Sequence, residues 1–122
     1  MKAIYLTAEQ DAEFDAHMRK WQEILNLNDW RVERNPKSAG TGAMAQVNVK
    51  LGARLAVYQT GNWGTTPVTP ASLEETAVHE LLHVLLAELL HLTKYNTDDT
   101  TLESAEHAVV NRLEKLLMRT PA

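Results

Sequence analysis

"TAVHELLHVLLAEL", Thr76 to Leu89, has the apolar content of a buried helix, yet it carries two histidines and two glutamates where leucines would serve. At about 100° per residue, His83 falls about 40° and Glu80 about 100° from His79, while leucines and valines fill most of the remaining circle. The polar groups therefore form a narrow stripe on a helix that is otherwise built for burial. Imidazole and carboxylate groups buried without partners are unfavourable by roughly 1–3 kcal/mol each, so the stripe must face a polar partner. A metal ion meets that requirement.

Within the stretch, "HELLH" at 79–83 is an HExxH motif. Its spacing sets both imidazoles on one helical face within reach of a single zinc, with the intervening glutamate alongside. Random placement of this chain's histidines and glutamates would produce the motif roughly 0.02 times, so the match is specific. The competing explanation is a helix whose histidines fall four apart by chance and are satisfied by neighbours or solvent.

A catalytic zinc usually takes three protein ligands and leaves its fourth position to water. The extended HExxHxxGxxH pattern is excluded, because Leu86 and Leu89 stand where its glycine and third histidine belong. The last apolar-periodic segment supplies a different candidate. Leu102, Val109, Val110, Leu113 and Leu117 share one arc of its helical wheel, and Glu106 falls in the middle of that arc. An ionised carboxylate facing a core must take up a proton or find a cation. Zinc on His79 and His83 would be that cation, giving a predicted His79, His83, Glu106 ligand set. The plainer alternative pairs Glu106 with Arg112 or Arg54. Glu103, His107, Asp98 and Asp99 rank behind Glu106 as ligands.

The surrounding pattern predicts an α+β fold. Thr7 and Gln10 fit a capping box before an amphipathic helix over 8–27 carrying Phe14, Met18, Trp21 and Leu25. "WRVER" (30–34), "AMAQVNVKL" (43–51) and "RLAVYQT" (54–60) read as strands of a small, mainly antiparallel sheet. Ser72 with Glu75, and Thr100 with Glu103, predict capping boxes for a helix over 73–92 and a final helix ending before Pro121. The whole, residues 1–122, reads as one domain with a single core.

Composition narrows the partners. With 12 basic and 16 acidic side chains the net charge is -4, and the basic residues are scattered, so nucleic acid is not expected as a partner. The chain contains no cysteine, which excludes thiolate zinc sites, disulfides and a cysteine nucleophile. No signal peptide or membrane span is read, and a cytoplasmic location is expected.

The predicted chemistry is peptide-bond hydrolysis. Zinc lowers the pKa of a bound water toward about 7, and Glu80 is placed to act as general base and then as proton donor to the leaving amine. His91, Tyr95, His107 and Tyr58 are candidates for an additional oxyanion donor. A peptide or protein substrate could add as a strand along an exposed sheet edge, which the sequence does not single out. Trp63, in a loop before the motif helix, reads either as a lid or substrate contact or as an anchor that pins the loop.

"LNLNDWRVE", the strand pair, "TAVHELLHVLLAEL" and "EHAVVNRLEKLL" together resemble small phage and prophage-encoded metallopeptidases, minimal zincins of gluzincin type with a broader likeness to SprT-like domains. The resemblance runs from about Leu27 to Leu117. It implies zinc at His79 and His83, Glu80 as the catalytic glutamate, and Glu106 at the family's helix-borne glutamate, with His107 standing where relatives often carry a second glutamate. The alternative reading is a non-catalytic phage regulatory or binding protein on a zincin scaffold. A DNA-associated protease, suggested by the SprT-like likeness alone, runs against the acidic charge.

Overall fold

The computed structural model describes residues 2–93 and 98–119, and the side chains of all of these except Leu92, Thr93 and Asp99. Among these residues, three helices and a three-stranded mixed sheet make up an α+β fold, as the sequence pattern predicts.

Helix α1 (Ala8–Ile24) opens on the predicted capping box. The Thr7 hydroxyl accepts from the Gln10 backbone N–H at 3.2 Å, and the Gln10 side-chain Oε1 accepts from the Thr7 N–H at 2.9 Å. Phe14, Met18 and Trp21 enter the core from one face. The helix stops three residues short of the predicted end because Asn26 takes the left-handed conformation at φ 57°. That turn sends Leu27 back into the core.

Strand β1 (Arg31–Arg34) leads through the loop 35–44 to β2 (Ala45–Lys50) and, after a 3-10 turn at Leu51–Ala53, to β3 (Leu55–Thr60). The order is β1-β3-β2, with β1 parallel and β2 antiparallel to the central β3. Alternation in β2 is as predicted: Ala45, Val47 and Val49 are half-buried, and Gln46, Asn48 and Lys50 are exposed. The order makes β2 an edge strand, with no further strand on its outer side among the described residues.

Gly61 follows β3 where two loops cross. A Cβ there would lie 2.2 Å from the Ala43 carbonyl oxygen and 2.8 Å from that of Gly40, both backbone atoms with little freedom to retreat. Gly61→Ala is therefore expected to destabilise the fold by about 1–3 kcal/mol, the usual range for overpacking. An unchanged urea midpoint would show that the 40–43 loop does not pack on this position.

Helix α2 (Pro70–Thr93) begins earlier than the predicted Ser72 cap. Thr69 and Ser72 form the reciprocal box instead: the Ser72 hydroxyl accepts from the Thr69 N–H at 2.8 Å, and the Thr69 hydroxyl accepts from the Ser72 N–H at 3.0 Å. Pro70 fits the first helical turn, where its missing N–H leaves no hydrogen bond unmade. Helix α3 (Asp99–Arg119) also starts earlier than predicted. Asp98 caps it, accepting from the Thr101 N–H at 2.9 Å and the Thr101 hydroxyl at 2.7 Å.

The core lies between α1, the sheet and α2. Phe14 and Met18 meet Ala56 and Tyr58 of β3 and Ala77, Val78, Leu81 and Leu82 of α2, with Val110 closing it from α3. Each large side chain buried in this way contributes about 1.5–3 kcal/mol. Trp63 is 1% exposed and its backbone N–H donates to Ile4 at 2.7 Å, so it is the anchor of its loop rather than a lid. Among the described residues no helix is long and apolar enough to cross a membrane.

Candidate metal centre

Two faces of the α2–α3 pair come together over the edge strand. Because α2 is packed across the core, its apolar residues point inward and the polar stripe of Thr76, His79, Glu80 and His83 is left beside β2 and α3. The two helices run so that successive turns of one meet successive turns of the other in reverse order. His83 Nδ1 lies 2.5 Å from Glu106 Oε2, and His79 Nδ1 lies 2.8 Å from Glu114 Oε1.

His107 joins the two motif histidines. Its ring centroid is 5.0 Å from that of His83 and 6.2 Å from that of His79, and the two motif rings are 5.1 Å apart. One nitrogen from each of the three rings falls within 4.8 Å of the others, a grouping that could hold a metal ion. The donor chemistry fits such an ion. Carboxylates on Nδ1 of His79 and His83 leave Nε2 of each ring as the ligand atom, the arrangement by which outer carboxylates fix a ligating imidazole. Three imidazoles suit zinc and its neighbouring transition metals.

Glu106, predicted as the third ligand, faces this cluster as its wheel position implies, but its carboxylate is on His83 Nδ1, and the three-nitrogen group is completed by His107. Arg54, its alternative partner, is instead paired with Glu88 and lies 3.6 Å from Asp29. Of the lower-ranked ligands, Glu103 lines the same cleft, Asp98 is engaged as the α3 cap, and the side chain of Asp99 lies outside the described residues. His91 lines a separate pocket with Arg54 and Glu88. Tyr58 donates to Asp15 at 2.7 Å on the α1 side of the sheet, where burial raises its pKa, so it is not at the cluster. Tyr95 lies outside the described residues.

Glu114 is the residue the sequence reading passed over. On the α3 wheel it falls about 80° from Glu106, at the margin of the apolar arc, where a carboxylate can reach solvent. The usable signal was its spacing, seven residues after His107 and hence nearly on the same face two turns along.

The electrostatics separate the groups. Glu80 is 6% exposed and no hydrogen bond to it is found among the described residues. Burial, assisted by Glu114 and opposed by His79, pushes its carboxyl up to about 7. The Glu114 hydrogen bond holds the His79 pKa up against burial, whereas burial lowers that of His83 despite Glu106. Glu114 resists its own burial through hydrogen bonds from His79 and Glu75 and stays below the usual range, while the pKa of Glu75, its partner, is raised.

A cleft of about 530 Å³ opens over the cluster, with β2 from Ala45 to Val49 along one wall and Glu80, the three imidazoles, Glu103 and Glu106 along the other. The open sheet edge thus runs beside the site. The chain matches no family model, no curated protein and no solved structure.

Proposed function

We propose that this chain is a zinc-dependent metallopeptidase of the minimal zincin kind. The ion is held by His79, His83 and His107, with Glu106 and Glu114 orienting the first two imidazoles. The observation that carries this reading is Glu80, a nearly fully buried carboxylate with no hydrogen-bond partner among the described residues, beside three converging imidazoles. A structural metal site has no use for such a group, and a scaffold helix would be more stable with a leucine there.

Bound zinc would supply a Lewis acid and a water acidified toward about 7. Glu80, with its carboxyl near neutrality, takes the proton from the attacking water and returns it to the leaving amine. An extended peptide adding to the outer edge of β2 is carried past Glu80 and the imidazoles, its backbone satisfied by the strand and its side chains alternating between the cleft and solvent. Glu106 and Glu114 hold the tautomer of His83 and His79 with a proton on Nδ1.

The test is a mixed peptide library incubated with the zinc-loaded chain and read by mass spectrometry. Cleavage abolished by a chelator and restored by zinc is expected. Zinc retained without cleavage of any peptide would move the chain to the binding-protein alternative.

A further inference from the structure

A second pocket, about 370 Å³, adjoins the metal cleft. The two share Ala45, His79 and Glu80, and the second extends toward the N-terminal half of α2, where Thr66, Glu75, Thr76 and Glu114 line it. We propose that this pocket is a subsite for a cationic group of the substrate, an ammonium or guanidinium held between Glu75 and Glu114. The proposal rests on the peptidase reading above.

Two independent observations support it. The first is that Glu75 and Glu114 lie together, hydrogen-bonded to each other, with Lys115 acting on them only through its field. Among the described residues, no lysine or arginine forms an ion pair with either one, and Glu114 has only the His79 imidazole as its basic partner. The second is Glu80, which is 6% exposed, has no hydrogen-bond partner among the described residues and forms a wall of this pocket as well as of the metal cleft.

An apolar side chain entering here would strip the remaining water from Glu75 and Glu80 and give nothing in return. A cation offsets that desolvation with charge-assisted hydrogen bonds. Two sources carry the same chemistry. One is a lysine or arginine flanking the scissile bond, and the pocket has the volume for either. The other is a free α-amino terminus, which would make the enzyme act from chain ends.

The experiment uses the zinc-loaded full chain with two readouts. In NMR titrations, N-acetyl-argininamide presents only a side-chain cation, alaninamide only an α-ammonium, and N-acetyl-leucinamide neither. A cationic probe is expected to shift the backbone amides of Thr66, Glu75 and Thr76 at concentrations where the leucine probe does not, and to bind about tenfold more weakly to Glu75→Gln. Whichever cationic probe binds identifies the source. Equal binding of all three probes, or unchanged binding to Glu75→Gln, overturns the subsite. The second readout is the sequence profile of cleaved peptides. Enrichment of a basic residue or a free terminus at the cleaved bond, lost in Glu75→Gln while cleavage continues, supports the subsite. Cleavage without such a preference overturns the subsite and leaves the peptidase standing, whereas cation binding without cleavage overturns the peptidase and leaves the cation site.

Discussion

Glu80→Gln is expected to remove peptide hydrolysis while making the metal-free protein more stable at neutral pH. Loss of a positioned general base lowers the rate by about 10²- to 10⁴-fold. The stability effect has the opposite sign and a defined pH window. The Glu80 carboxyl titrates at about 7 in the fold against 4.5 ordinarily, so between those values the folded chain holds a proton that the unfolded chain releases. Its contribution is therefore fully present below 4.5, falls as pH rises through that window, and at pH 8 has fallen by roughly 3 kcal/mol. Glutamine keeps the shape and has no such slope. Urea unfolding of both chains without zinc at pH 5 and pH 8 should show a gap that opens at the higher pH. Parallel stabilities at both values would mean that Glu80 is solvated in the fold and not held as a buried base.

Removing His107 and removing Glu106 are expected to have effects of different size on zinc affinity. Glu106 and Glu114 sit on the Nδ1 atoms of His83 and His79, and loss of such an orienting carboxylate weakens metal binding about 10- to 100-fold. His107 contributes a nitrogen to the three-ring group, so His107→Ala should weaken binding beyond that range. Competition against a chromophoric chelator measures both variants on one scale. A weaker effect for His107→Ala than for Glu106→Ala would return Glu106 to the ligand position that its place on the helical wheel first suggested.

The difference between those two residues marks where the sequence ceased to be legible. Periodicity identified the site helix, because a polar stripe on an apolar cylinder is a one-dimensional pattern. It also brought the start of α3 to the same stripe, since Glu106 had no other reason to face the core. Which atom of α3 meets which ring depends on the rotation and axial offset of two packed helices, and Glu106 and His107 stand about 100° apart on α3. The sequence holds no local record of that offset. Glu114 escaped for the same reason: its partner lies 35 residues away on another helix.

The strands were legible by alternation, and their order was not. Val47 and Val49 announce a half-buried strand, but the passage from β1 across the sheet, which leaves β2 on the open edge beside the metal cleft, is a matter of long-range pairing. Helix starts slipped because two capping residues competed at each. Thr69 with Pro70 outbid Ser72 with Glu75 for α2, and Asp98 took the cap of α3 from Thr100.

Native mass spectrometry of the purified chain supplied with zinc, run beside His79→Ala, tests the metal centre most directly. One zinc per wild-type chain, lost from the variant, is the expected result. A wild-type chain that retains no zinc, or a variant that retains it equally, would contradict a metal centre built on the HExxH helix.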